Sequence, residues 1–369
     1  MAPYLLEDGE KVLIVRLSAV GDTVQTLKLG AGVRKLFPKV RLGWAVEEES
    51  SPFIVENPLL DWWLVVRKGF LKSPSRLWEL KKDLRKQEIN LAFDPQSLTK
   101  SAVLAFLSGA PRRAGFARGQ GRELAPFLNN ILARPKSRRV SERYLELLEA
   151  VKPGSLAALR DDDPEIPLPK LTGRDQDLLE GFLSREALKP HGYLLFAPGA
   201  SLPAKRWPLE RYAALGRGLF LKTGEPAVLL GHGDLQREAL RPLLKKEGLI
   251  LAPDLGLLGV AELIRRSRLT LGSDSFPGHL ADALKVPAVM LFAISDPFRA
   301  GPRGPLSLSL YKDLNIARSM RSGRKFNERW ILSLDSSYVE EEVLKLLERI
   351  KASAASPAAG KPPAAGAAS

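Results

Sequence analysis

Short aliphatic runs alternate with longer amphipathic stretches along most of this chain, and they do so in two series. In the first, "KVLIVRL" (11–17), "VRLGWAV" (40–46), "WWLVV" (62–66) and "INLAFD" (89–94) have the length and apolar content of buried strands. "TVQTLKLGAGVRKLF" and "SRLWELKKDLRKQ" between them carry helical spacing. Strands apolar on both faces and separated by helices predict a parallel sheet covered on both sides. The second series is "YLLFAPG" (193–199), "PAVLLG" (226–231), "LILAP" (249–253), "LTLGSD" (269–274) and "PAVMLF" (287–292). Between the two series, "KPGSLAALRDDDPEIPLPKLTGR" (152–174) replaces periodicity with Gly, Pro and carboxylates. The expected architecture is α/β: two Rossmann-like doubly wound halves facing each other across a cleft, with ligands at the carboxyl ends of the strands. The halves are expected over 1–151 and 175–350, joined by a linker over 152–174. The small, Pro-rich segment 351–369 is expected to be disordered.

Composition narrows the chemistry. A chain of 369 residues, 45% of them hydrophobic, supplies two full cores. With no cysteine, disulfides, thiolate metal sites and cysteine nucleophiles are excluded. "MAPYLLEDGE" lacks the apolar stretch of a secretory signal, and no run approaches the roughly 20 apolar residues of a membrane span, so a cytoplasmic chain is expected. No G-x-G-x-x-G follows any strand-like run, which counts against a nicotinamide oxidoreductase. The run "DDD" (161–163) reads as solvated charge among prolines and "SDS" (273–275) holds one carboxylate, so no metal or other cofactor is expected.

The formal charge is +14, and between Lys100 and Arg143 ten basic residues face only Glu123 and Glu142. Such an excess suits a polyanion, an anionic membrane surface or an acidic substrate. Aromatic interleaving is sparse there, with Phe106, Phe116 and Phe127, which argues against nucleic acid.

Three segments stand where strands give way to helices: "SAVGD" (18–22), "APGASLPAKRWP" (197–208) and "LGSDSFPGHLADAL" (271–284). A helix N-terminus offers unpaired N–H groups and partial positive charge to a phosphate, and Lys205 is a matching cation. Asp22 reads equally as a helix cap or as a carboxylate aimed at substrate. His279, by spacing alone, reads as a packed or solvent-facing histidine, and Trp207 with Pro208 reads as a structural helix entrance.

Taken in order, "VLIVRLSAVGDTVQTLKLGAGVRKLFP", "DPQSLTKSA" (94–102), "LSGAPRRAGF" (107–116), "APGASLPAKRWPLERYAAL" and "LGSDSFPGHLADALKVPAVMLFAISDP" resemble the ADP-heptose lipopolysaccharide heptosyltransferases, glycosyltransferase family nine. The resemblance runs from about Lys11 to about Pro305. It implies the GT-B fold and an inverting transfer of heptose from an ADP-sugar bound by the C-terminal domain. The acceptor it implies, on the N-terminal domain, is an acidic lipid-linked sugar, Kdo or inner-core heptose. It implies Asp22 as catalytic base and Ser18, Gly21, Gln96, Lys100, Arg112 and Arg113 on the acceptor side. On the donor side it implies Ser201, Lys205, Asp274, Ser275, Phe276 and His279. It also implies a peripheral place at the inner face of the cytoplasmic membrane, held transiently by anionic lipid.

Two departures stand out. The family usually has glycine where this chain has Phe276, so a shifted nucleotide, another nucleotide-sugar or a non-catalytic donor site are the alternatives. No acidic residue near the donor ribose aligns cleanly, and Asp234 and Glu238 both remain candidates. "PAKRWP" and "GAPRRAGF" are closer to enzymes that add the second heptose, whereas "VEEES" and "DPQSLTKSA" are closer to those that add the first.

Overall fold

The computed structural model describes residues 6–160, 166–231, 233–245, 247–312 and 329–355; the acidic run 161–163 and the chain beyond 355 lie outside them. Two parallel six-stranded sheets carry the architecture. The first is built from β1 (Lys11–Val15), α1 (Val20–Leu36), β2 (Arg41–Glu47), β3 (Trp62–Val66), α2 (Pro74–Lys86), β4 (Leu91–Phe93), α3 (Thr99–Leu107), β5 (Arg112–Phe116), α4 (Ala125–Leu128), β6 (Ile131–Ala133) and α5 (Val140–Val151). Helices α6 (Ser155–Arg160) and α7 (Arg174–Arg185) lead to the second. It comprises β7 (Leu194–Ala197), α8 (Leu209–Thr223), β8 (Ala227–Leu229), α9 (Gly233–Leu240), β9 (Leu249–Leu251), α10 (Leu257–Arg265), β10 (Leu269–Ser273), α11 (Phe276–Ala283), β11 (Ala288–Leu291), α12 (Pro297–Ala300) and β12 (Leu308–Leu310).

The strand orders are β3-β2-β1-β4-β5-β6 and β12-β11-β10-β7-β8-β9. Numbered from its own first strand, each sheet has the Rossmann order, and each reverses direction of winding beside that strand. The switch points therefore fall between β1 and β4, where Val12 pairs with Leu91 and Ile14 with Phe93, and between β7 and β10, where Leu194 pairs with Leu269. All the loops that carry the quoted motifs around Asp22, Gln96, Lys205 and Asp274 leave the carboxyl ends of these four strands.

Alternation along the strands divides the core. On β1, Leu13 and Val15 join Leu84, Leu104 and Ala105 beneath α2 and α3, whereas Val12 and Ile14 join Trp44, Leu27 and Leu148 beneath α1 and α5. The second cluster does not stop at the first half. It continues through Leu179 and Phe182 of α7, Leu263 of α10 and Leu280 of α11 to Leu195 on β7. On the far face of the second sheet, Leu194 and Phe196 pack with Leu215, Val343 and Leu347, the last two from a helix over Ser336–Ala355.

The two halves thus share apolar contact at the base of the cleft, with α1 lying against α11. Two ion pairs of opposite sense close its edge. Arg138 Nη2 is 2.7 Å from Asp296 Oδ2, and Arg303 Nη2 is 3.1 Å from Glu142 Oε1.

The segment 152–174 contains the helix α6, whose Leu159 is buried in the shared core. One local expectation is corrected. Residues 351–355 close the helix Ser336–Ala355 rather than opening a disordered tail. There Lys351 Nζ donates to Glu348 Oε1 at 2.8 Å, one turn back.

Candidate active site

β1 ends at Val15 and the chain turns into α1 through Arg16–Ala19. The cap of α1 is Ala19, which has no capping side chain, and Asp22 is the third residue of the helix. Its carboxylate goes elsewhere: Arg16 Nη2 meets Asp22 Oδ2 at 2.6 Å. The buried guanidinium also donates from Nη1 to Pro95 O at 3.4 Å and lies over the Tyr144 ring, 5.4 Å from its centroid. Its backbone carbonyl accepts from Trp44 Nε1 at 3.2 Å.

Ser18, Gln96 and Lys100 gather around the same turn. Lys100 Nζ donates to Ser18 Oγ and to the buried Glu47 Oε1, both at 2.7 Å. Gln96 Oε1 accepts from Leu17 N at 3.0 Å. Beneath them Asp94 is fully buried, accepting from Ser97 N at 2.8 Å and Asn129 Nδ2 at 3.0 Å. Burial pushes its carboxyl up to about 6 against those hydrogen bonds.

Arg112 and Arg113, expected on the acceptor side, are not brought to this turn. They open β5, with Arg112 level with Leu91 at the amino ends of the strands, whereas the site lies at the carboxyl ends. Arg112 Nη1 is 3.8 Å from Glu10 Oε1, and Arg113 is spent on Leu128 O (2.8 Å) and Ala110 O (2.6 Å).

On the facing half, the loop after β7 is tied by Arg206 Nε to Ala200 O at 2.8 Å and anchored by buried Trp207, whose Nε1 donates to Leu334 O at 2.7 Å. A 3-10 turn over Pro203–Lys205 then delivers Lys205 Nζ to Asp274 Oδ2 at 2.5 Å. Asp274 Oδ1 takes His279 Nε2 at 3.1 Å. Burial pushes the Asp274 carboxyl up, but the His279 hydrogen bond and charge together with the Lys205 ammonium outweigh it and hold the group well below the usual carboxylate range.

Ser275 caps α11 without a side-chain capping bond, and its Oγ is buried with no hydrogen-bond partner among the described residues. Ser201 is exposed on the loop that carries Lys205. On α9, Asp234 and Glu238 are exposed, and the side chain beside Gly199 is that of Gln236.

The two clusters meet at Gly21. A Cβ there would stand 3.4 Å from His279 Cδ2 and 3.6 Å from Phe276 Cα, so the absent side chain lets the first turns of α1 and α11 approach. Phe276 turns its ring onto Phe53 of the first half, centroids 5.7 Å apart. Its site is the seam between the halves.

Two helix N-termini, Arg16, Lys100 and Lys205 therefore converge around the partly exposed carboxylate of Asp22 and the buried ones of Glu47 and Asp274, an arrangement suited to an anion beside a base. Among the described residues no three His, Cys, Asp or Glu side chains are grouped to hold a metal ion. Cavities of about 300 and 400 Å³ lie elsewhere, between α7 and α10 and beside Tyr193, and share Glu180 and Arg266.

Sequence reasoning overlooked Arg16 and Glu47. The signal for both was a charged residue at the very end of an otherwise apolar strand run.

The profile of glycosyltransferase family 9 (heptosyltransferase) matches residues 77–327. Lipopolysaccharide heptosyltransferase 1 of Pseudomonas aeruginosa is 25% identical over 324 residues, 84% of this chain and 86% of its own. A crystal structure of a family 9 glycosyl transferase from Veillonella parvula superposes with a TM-score of 0.76 at 23% identity, covering 95% of this chain and 99% of that one. The E. coli heptosyltransferase WaaC with ADP-2-deoxy-2-fluoro heptose gives 0.68 at 20% identity, covering 91% and 99%. With two Rossmann-ordered sheets joined at their switch points, this chain belongs to glycosyltransferase family 9, the heptosyltransferases, and is a glycosyltransferase of the GT-B fold.

Proposed function

We propose that the enzyme transfers heptose from ADP-heptose to an acidic inner-core sugar, Kdo or heptose, of a lipid-linked acceptor in lipopolysaccharide synthesis, with inversion at the anomeric carbon. The observation that carries this reading is the approach of α1, which carries Asp22, to the Lys205–Asp274–His279 cluster at Gly21. Asp22 takes the proton of the acceptor hydroxyl as its oxygen attacks the anomeric carbon. The bond from that carbon to the β-phosphate oxygen breaks as the new bond forms, and ADP leaves with the electron pair. The charge gathering on ADP is met by Lys205 and by the N–H groups opening α11 beside Ser275.

Each remaining residue has a place in this reading. Asp274 and His279 hold Lys205 in position, Ser201 borders the donor, and Phe276 closes the seam behind it. Ser18, Gln96 and Lys100 orient the acceptor, whose carboxylate suits the ammonium of Lys100. Arg112 and Arg113 take no part. Metal is not required, since the leaving diphosphate is met by protein cations and backbone. The enzyme works at the inner face of the cytoplasmic membrane as a peripheral protein; among the described residues no helix is long and apolar enough to cross a bilayer.

The test is ADP release with ADP-heptose and a Kdo-containing acceptor, followed by the anomeric configuration of the product by NMR. Release without an acceptor-linked product, or a retained configuration, would refute it. ADP-, GDP- and UDP-sugars compared by calorimetry identify the donor.

A further inference from the structure

One flank of the first half exposes three aromatic side chains: Trp78 (63% exposed), Phe106 (50%) and Phe127 (65%). They belong to α2, α3 and α4, of which α3 adjoins both of the others. Arg85 of α2 donates from Nε to Leu107 O at the end of α3 (3.3 Å), and Arg113 donates from Nε to Leu128 O at the end of α4 (2.8 Å). Each ring carries a cation over its face: Lys82 over Trp78 at 5.3 Å, Arg113 over Phe106 at 5.4 Å, and Arg118 over Phe127 at 4.9 Å. On α2 the exposed Trp78, Lys81, Lys82 and Arg85 fall at the spacing of one helical face.

The flank looks away from the second half, because α2 and α3 cover the sheet face opposite α1 and α5. It is nonetheless close to the site. Helix α3 holds Lys100 in its first turn and Phe106 in its last, about 9 Å apart along the axis.

We infer that this flank seats on an anionic lipid leaflet, with Trp78, Phe106 and Phe127 at the level of the headgroups and the neighbouring cations on lipid phosphate. The inference rests on the lipid-linked acceptor of the proposed function and names the surface that brings the enzyme to it. Charge complementarity selects the occupant. A second copy docking symmetrically would set this basic face against itself. Single-stranded nucleic acid stacks on open ring faces, and here Lys82, Arg113 and Arg118 each occupy one face of a ring. A headgroup layer accepts the combination, since aromatic rings favour the interface and basic side chains favour anionic lipid.

The experiment is sedimentation of the full-length protein with phosphatidylcholine vesicles, with and without phosphatidylglycerol, at low and high salt. Wild type is expected to bind the phosphatidylglycerol vesicles, more weakly as salt rises. The triple variant Trp78→Ser, Phe106→Ser, Phe127→Ser is expected to lose about tenfold or more in partitioning. A control carrying Leu221→Ser and Leu235→Ser, exposed on the second half, is expected to bind as wild type does. The triple variant should keep wild-type turnover on a deacylated, water-soluble acceptor, which shows it folded. Vesicle binding unchanged in the triple variant, or absent in wild type, overturns the inference. So does a concentration-dependent dimer, or retained RNA, that the triple variant abolishes. Failure of the proposed function reads out separately, as absence of transfer to any acceptor while vesicle partitioning is still measured.

Discussion

Arg16 and Asp22 are six residues apart and bridged at 2.6 Å, a side chain 6% exposed holding one that is 43% exposed. The buried partner cannot follow its neighbour into water, so the carboxylate is fixed in direction while much of it stays accessible. Asp22→Asn should lower kcat by about 10²- to 10⁴-fold with ADP affinity unchanged, because in the proposed function the lost group serves the acceptor's proton. Arg16→Met should lower kcat less, with partial recovery in Arg16→Lys. Steady-state ADP release and calorimetry with ADP check both.

Lys205→Ala removes the cation that the proposed function sets against the leaving diphosphate and leaves Asp274 with His279 alone. Loss of a charge-assisted contact at a partly buried site costs about 1.5–3 kcal/mol. ADP and ADP-sugar should therefore bind about 10- to 100-fold more weakly together. An unaltered affinity for ADP would take the loop after β7 out of the donor site.

Substitutions at Gly21 should be graded by size. A methyl group there reaches ordinary contact with His279 Cδ2 at 3.4 Å, so Gly21→Ala should keep most activity. A longer side chain must displace α11 or His279, and Gly21→Leu should lower kcat by about tenfold or more while melting of the protein stays cooperative. Comparable activity in both variants would show that the approach of the two helices is not needed.

Phe276→Ala strips a ring from the seam. With a partly buried side chain and an aromatic partner in Phe53, the expected loss is about 1–3 kcal/mol of stability by urea titration. Phe53→Ala should cost a similar amount, and the double variant less than the sum of the two.

Asp94 sets a pH dependence. Its carboxyl holds a proton more tightly in the folded chain, at about 6, than at the ordinary 3.8. The folded state binds the extra proton between those values, so this stability is present at low pH and is lost as pH rises through about 6. Asp274 has the opposite sign: its contribution is present above the ordinary 3.8 and is lost as pH falls through its depressed value. In Asp94→Asn the introduced amide can donate to Asn129 Oδ1, which is buried without a partner. The urea midpoint of wild type should fall relative to Asp94→Asn from pH 4 to pH 6 and run parallel to it above pH 7.

The sheets were legible because each strand is an aliphatic run short enough to cross one layer and bounded by turn residues, as "KVLIV" and "LTLGS" are. What joins the strands' ends was legible only in part. A partner of Lys100 is Glu47 at the end of β2, two strands from β4, and only strand order brings the two together. The resemblance of "LSGAPRRAGF" put Arg112 and Arg113 on the acceptor side, but a motif carries no direction. A strand that begins at Arg112 points its basic end away from the switch point. Phe276 was read against a family pattern at one position, whereas its neighbour Phe53 lies in the other half and has no signature in sequence.

The two ion pairs at the edge of the seam run in opposite senses, Arg138 to Asp296 and Glu142 to Arg303. Had both cations stood on one half, sliding that half along the other would have traded one attraction for its equivalent. With polarity crossed, the same slide sets Arg138 beside Arg303 or Glu142 beside Asp296, and like charges repel. The pattern works as a key: it favours one registration of the halves, the one that lays Gly21 against His279.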